Sequence, residues 1–254
     1  MIIMRNKKYN SKIGSWITLN NPSLVELLSK VGFDWLTIDL EHSSITIEKA
    51  EELIRIISLS KVKPYVRLTS INTEQIRRVL DAGAQGLIAP LVKNKDDVKK
   101  LLNAAYYPPV GERGVGLARA QGYGSDFEKY KSNYHKDLDI FVQIEHIEAV
   151  RNLEEIFNNK RIRGYFIGPY DLSFSMLKPG KFKDKKFIET IKYIKKIAKK
   201  YNVKSGIHIV EPNLDELKKI IKEKYDYIGY SLDIRVLDVN YRNALDIFKN
   251  QTKR

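Results

Sequence analysis

Eight times along this chain a short apolar run is followed by a longer amphipathic one, and few folds can use that rhythm. The short runs are Ile13–Leu19, Trp35–Leu40, Pro64–Leu68, Gly86–Ala89, Ile140–Ile144, Gly164–Ile167, Ser205–Ile209 and Tyr225–Tyr230. The helical patterns that follow them are Ser23–Val31, Ile47–Leu59, Thr73–Ala82, Lys95–Ala105, Ile147–Asn158, Lys186–Tyr201, Leu214–Glu223 and Ile234–Phe248. Short buried strands alternating with helices pair in parallel through right-handed crossovers. Eight such units close into an α/β fold of the (β/α)8 TIM-barrel type. A doubly wound open sheet is the alternative, but no G-x-G-x-x-G follows the first strand.

No linker or low-complexity tract divides the 254 residues, so 1–254 are read as a single domain. Tyr106–Tyr134, with the sequence YYPPVGERGVGLARAQGYG at its start, is too long and too rich in Gly and Pro for an ordinary connection. It is expected to be an elaborated loop after strand 4. The chain has no cysteine, which excludes a disulfide scaffold, a thiolate zinc site and a cysteine nucleophile, and agrees with a cytoplasmic location. The N-terminal MIIMRNKKYNSK turns polar too soon for a signal peptide, and no stretch approaches the roughly 18 apolar residues of a membrane span. The net charge of +14 raises the question of nucleic acid. Much of the lysine lies on helical stretches such as Lys181–Lys200, interleaved with apolar residues, and reads as a solvated outer face. No nucleic-acid or membrane partner is expected, although a non-catalytic nucleic-acid-binding protein is the alternative from another class.

In a barrel, chemistry collects at the C-terminal ends of the strands. Those positions hold Asp39, Glu41 and His42 after strand 2, Arg67 on strand 3, and Gln143 and Glu145 on strand 5. Strand 6 ends in Gly168-Pro169-Tyr170-Asp171, and strand 7 offers His208 and Glu211. Glu145 and Asp171, on adjacent strand ends, suit a hard divalent cation such as Mg2+ or Mn2+; the plainer reading is helix caps or salt bridges. His146 beside Glu145 faces the other way and is expected to be structural. Asp39 and His42 read as a dyad in which the carboxylate fixes the imidazole tautomer. Arg67 needs an anion, either a substrate or, structurally, Asp39 or Asp81.

The stretches GSWITLNNPSLVELLSKVGFDWLTIDLEHS, RGVGLARAQGYG, VQIEHIEAV and GYFIGPYDLS together resemble the HpcH/HpaI aldolases, from about Gly14 to about Asp246. The resemblance implies a metal-dependent (class II) aldolase, an aldehyde-lyase joining pyruvate enolate to an aldehyde, with Mg2+, Mn2+ or Co2+ as cofactor. It implies His42 as the catalytic base with Asp39 as its orienting acid, Arg67 as the strand-three arginine, and Asp81 as the acid of the LDAGA motif. Gln143 would contact substrate, Glu145 and Asp171 would bind metal, and Trp16 would line the pocket. The backbone N–H groups of Tyr170 and Asp171, after Gly168, would cup the pyruvate carboxylate. The partners so implied are a small 2-oxo acid, an aldehyde and further copies of the chain, in a hexamer whose C-terminal helices are exchanged between subunits. Leu40 and Tyr170 stand where members that cleave the heptanedioate carry glycine and alanine, and the loop after Gly116 is about two residues shorter. Those departures bear on the substrate, and a lyase acting on acyl-CoA or phosphorylated substrates is a second alternative. A Schiff-base aldolase would need a desolvated lysine, and Lys93, the nearest candidate, lies in a polar loop.

Overall fold

A computed structural model describes residues 11–252, and in it eight parallel strands close into a barrel in the order β1 to β8. The strands are β1 (Lys12–Ile17), β2 (Trp35–Asp39), β3 (Lys63–Arg67), β4 (Gly86–Ala89), β5 (Asp139–Ile144), β6 (Ile162–Ile167), β7 (Lys204–Ile209) and β8 (Tyr227–Leu232). The expected (β/α)8 class is the observed one. Helices α1 (Pro22–Val31), α2 (Ile47–Leu59), α3 (Thr73–Asp81) and α4 (Lys95–Ala105) follow the first four strands. Asn21, Thr46, Asn72 and Asn94 cap these helices, each side chain accepting a backbone N–H two or three residues further on. The caps fix where each strand-to-helix loop ends, and so hold the rim of the barrel.

The barrel interior is aromatic. Trp16, Trp35, Tyr65, Phe141, Phe166 and Tyr227 pack with Ile88 into one buried cluster. A glycine on a neighbouring strand makes room for each of several rings: a Cβ on Gly14 would meet the Trp35 ring at 2.2 Å, and one on Gly229 would meet Trp16 at 2.2 Å. Gly86, Gly164 and Gly206 stand in the same relation to Tyr65, Phe141 and Phe166. Large residues thus alternate with none, which fills the barrel without strain. The aliphatic core lies outside this cluster, between the sheet and the helices.

The structure departs from the sequence reading in three places. The segment Tyr106–Tyr134 is only half loop: a 3-10 turn (Arg119–Gly124) leads into α5 (Phe127–Asp137). The helix expected over Ile147–Asn158 breaks at Asn152 into α6 (Ile147–Arg151) and α7 (Leu153–Phe157), where the Asn152 amide donates to the Lys93 carbonyl at 3.0 Å. A short helix, α8 (Pro169–Ser175), starts directly after β6, with Pro169 in its first turn. Helices α9 (Lys185–Lys200), α10 (Leu214–Lys222) and α11 (Asp233–Thr252) complete the chain. Among the described residues no helix is long and apolar enough to cross a membrane.

Candidate active site

Register brings the first two charged residues together. Asp39 and Arg67 are partners at the ends of β2 and β3. Arg67 Nε donates to Asp39 Oδ1 at 2.8 Å and Nη2 donates to Oδ2 at 2.5 Å, a bidentate pair, while Nη1 lies 3.2 Å from Glu41 Oε2. Burial works against the Arg67 charge, but Asp39 and Glu41 outweigh it and its pKa is raised. Asp39 is 2% exposed, and its Oδ1 also accepts the backbone N–H groups of Glu41 (3.0 Å) and His42 (3.3 Å).

That arrangement corrects the expected dyad. Asp39 holds the backbone of His42 and not its ring. The imidazole is 69% exposed, and the carboxylate that faces it is Glu41, with Oε2 3.8 Å from Nε2.

The second group stands on β5. Glu145 is 4% exposed. Its Oε1 accepts the Leu91 N–H at 2.6 Å and its Oε2 accepts the Gln143 amide at 2.8 Å. Burial pushes its pKa up to about 7; the Leu91 N–H opposes this, Glu41 and Asp171 add to it, and Arg67 opposes it. Glu41 is also raised, first by burial, against Arg67, and further by Asp39 and Asp171. Asp171, exposed in the first turn of α8, is therefore close enough to act on both. Asp171 acts on both Glu41 and Glu145, and Arg67 acts on the same two.

The donor chemistry fits a hard divalent cation. A positive ion relieves the repulsion that helps to raise Glu41 and Glu145. Gln143 Oε1 is buried with no hydrogen-bond partner, and a Cβ on Gly168 would stand 2.6 Å from Glu145 Oε2, so the β6 end leaves that carboxylate its room. Among the described residues no three His, Cys, Asp or Glu side chains converge as a ready-made cluster, so Glu145 and Asp171 would be a two-carboxylate donor set.

Other expected residues fall elsewhere. Asp81 ends α3, the helix that runs from the mouth back to the start of β4, so it sits at the far end of the barrel. There it pairs with Arg113, Nη2 to Oδ1 at 2.5 Å, which corrects its assignment to the site within this chain. Trp16 is 3% exposed inside the aromatic cluster and meets the mouth through His208 stacked upon it. Tyr170 is exposed and edge-on to Phe182. His146 accepts the Glu148 N–H through Nδ1 as the cap of α6, the structural role expected of it.

Sequence reasoning missed Leu91. Its backbone is left-handed, φ 52°, a conformation a leucine rarely adopts. That conformation aims its N–H at the buried carboxylate of Glu145. The signal available was the Pro90-Leu91 pair directly after the short apolar β4.

The chain matches the HpcH/HpaI aldolase/citrate lyase family over residues 12–237. It is 37% identical over 174 residues to 2-keto-3-deoxy-L-rhamnonate aldolases of Escherichia coli and Shigella sonnei, 68% of this chain and 65% of those relatives. The matched stretch is therefore just under two thirds of their length. An HpcH/HpaI aldolase structure from Desulfitobacterium hafniense superposes with a TM-score of 0.86 at 23% identity, covering 94% of this chain and 93% of that one. A family structure from Burkholderia cenocepacia gives 0.87 at 25% identity, with 96% of each chain covered.

Proposed function

The chain belongs to the HpcH/HpaI aldolase/citrate lyase family, and from that premise we propose that it is an aldehyde-lyase acting between pyruvate enolate and an aldehyde. The substrate class is 4-hydroxy-2-oxo acids and 2-keto-3-deoxy sugar acids; the rhamnonate aldolases it resembles support the sugar-acid end of that class. The observation that carries the reading is the set of charged groups at the barrel mouth: Arg67 paired with Asp39 and Glu41, beside the buried Glu145 held by the Leu91 N–H and the Gln143 amide. In this reading the enzyme works in the cytoplasm as a homohexamer.

Glu145 and Asp171 would hold Mg2+, Mn2+ or Co2+, which when bound supplies Lewis acidity toward the keto and carboxylate oxygens of a 2-oxo acid. The rest falls to the chain. Arg67 has N–H groups beyond those given to Asp39 and offers positive charge to the enolate oxygen. The backbone N–H groups of Tyr170 and Asp171, in the unsatisfied first turn of α8, would receive the substrate carboxylate. Gln143 donates to Glu145, and its unpaired carbonyl oxygen is open to a hydroxyl of the substrate or to water. His42 takes the C4 hydroxyl proton in cleavage, and in synthesis it removes the proton from the pyruvate methyl.

Exhaustive chelation is expected to abolish condensation of pyruvate with a short aldehyde, read by product mass, and added Mn2+ to restore it. Asp171→Ala should stay folded and inactive, since the loss is confined to an exposed position. Full turnover in the chelated protein would overturn the metal-dependent mechanism.

A further inference from the structure

His208 on β7 has no task in the chemistry above, yet it stands in the same mouth. Its ring lies flat on the Trp16 indole, centroids 4.1 Å apart and planes 13° from parallel. Arg67 and Asp39 are both close enough to act on its charge. The residue is half-buried, so solvent still reaches it.

Its hydrogen bond fixes the tautomer. Nε2 lies 3.1 Å from the Ser231 carbonyl oxygen, and a carbonyl only accepts, so Nε2 carries the proton and donates. Nδ1 is left with a lone pair, and among the described residues it has no partner. Burial, with Arg67, holds the pKa down to about 4 against the pull of the Ser231 carbonyl and Asp39. The ring is therefore neutral at pH 7. It offers an acceptor, not a charge.

An acceptor needs a donor, and only one half of the substrate brings any. The keto and carboxylate oxygens of a 2-oxo acid accept and do not donate. Donors come with the aldehyde half, as hydroxyl groups. The hydroxyl at the reacting carbon is matched with His42, which leaves those beyond it. We infer that His208 Nδ1 accepts a hydrogen bond from a hydroxyl of the aldehyde beyond its reacting carbon, and so selects hydroxyaldehydes over plain alkyl ones. This inference rests on the aldolase reading above.

The test compares glycolaldehyde with acetaldehyde, which differ by that hydroxyl, in condensation with pyruvate by the full-length Mn2+ enzyme. His208→Phe keeps a ring on Trp16 and removes the acceptor. It should lower kcat/KM for glycolaldehyde about tenfold, the worth of a hydrogen bond of about 1.4 kcal/mol, and leave acetaldehyde within about twofold. His208→Asn, which can place an amide oxygen near the former Nδ1, should recover most of the preference. An unchanged ratio in His208→Phe overturns the inference, as does an equal loss with both aldehydes. His208→Leu substitutes if the phenylalanine variant does not fold. Deuterium exchange into the pyruvate methyl, which needs no aldehyde, separates this failure from that of the larger reading. Exchange with an unchanged ratio removes only the role of His208, whereas neither exchange nor condensation in the unsubstituted enzyme removes the aldolase reading itself.

Discussion

The Asp39 carboxylate accepts four N–H groups: two from Arg67 and one each from the backbones of Glu41 and His42. Three of these fall on Oδ1 and one on Oδ2, and the His42 ring, 69% exposed, faces Glu41 instead, so the two residues that read as a dyad in the sequence serve different ends. Asp39 positions Arg67 and the strand-to-helix turn, and His42 works in the open beside Glu41. The sequence made the residue types at the strand ends legible, because a barrel exposes only those positions to one common mouth. The Arg67–Asp39 pairing stood in the sequence only as one alternative beside Asp81 or a substrate anion, since the choice depends on the register of β2 against β3. Asp81 lies away from its own chain's site for a related reason: a motif carries no information about which end of its helix faces the mouth. The two readings separate in kinetics and stability. His42→Ala should lower turnover roughly 10²–10⁴-fold with the melting temperature and pyruvate affinity kept. Arg67→Ala should lower turnover and pyruvate affinity together and also destabilise the fold by about 3–5 kcal/mol, because it leaves Asp39 buried with its charge unpaired. Steady-state kinetics and thermal melts on both variants check this; near-normal turnover in His42→Ala would return that residue to a structural role.

At the scale of elements, the long connection between β4 and β5 was read from its front half. Gly and Pro dominate there, and they hid a helical stripe further on: Phe127, Tyr130 and Tyr134 recur at helical spacing and form one side of α5. The stripe has a purpose that only the structure reveals. Arg113, its side chain fully buried, lies among Tyr107, Tyr130 and Tyr134 with ring centroids at 4.7, 6.0 and 5.0 Å from the guanidinium. It also donates to Asp81. One cation thus ties the connection to both α5 and the end of α3. Cation–π contacts gain from such desolvation, and a buried charge is costly to leave unpaired. Arg113→Met should therefore destabilise the protein by about 3–5 kcal/mol, lowering the melting temperature by very roughly 6–20 °C for a domain of this size. Calorimetry decides it: a shift of no more than about 2 °C would show that the connection is held by something else.

For the whole molecule, the eighth unit is the one that does not close on its own barrel. Asp233, at the start of α11, is anchored by the Thr18 and Leu19 N–H groups at 2.9–3.0 Å, and it is the buried residue of that helix. Beyond it Ile234, Leu237, Leu245, Ile247 and Phe248 are 40–63% exposed. In a (β/α)8 ring the helix after β8 would lie between α10 and α1. Leu27 and Val31 of α1 and Leu214 of α10 are exposed at 59–63%. An apolar helix left outside and apolar residues on the neighbours it would have covered are complementary surfaces, and a second copy of the chain supplies both at once. The amphipathic pattern over Ile234–Phe248 was plain in the sequence; that the helix lacks a seat on its own barrel was implied by the resemblance alone, because periodicity does not say which chain a helix packs against. The expectation is a homo-oligomer, a hexamer if it follows the resemblance, joined by exchange of α11. The double variant Leu245→Asp with Phe248→Asp places charge on the exchanged face and leaves the barrel untouched. It should release monomers at micromolar concentration in light scattering while the far-ultraviolet circular dichroism of the barrel persists. A wild-type chain that is itself a stable monomer at that concentration would end the idea.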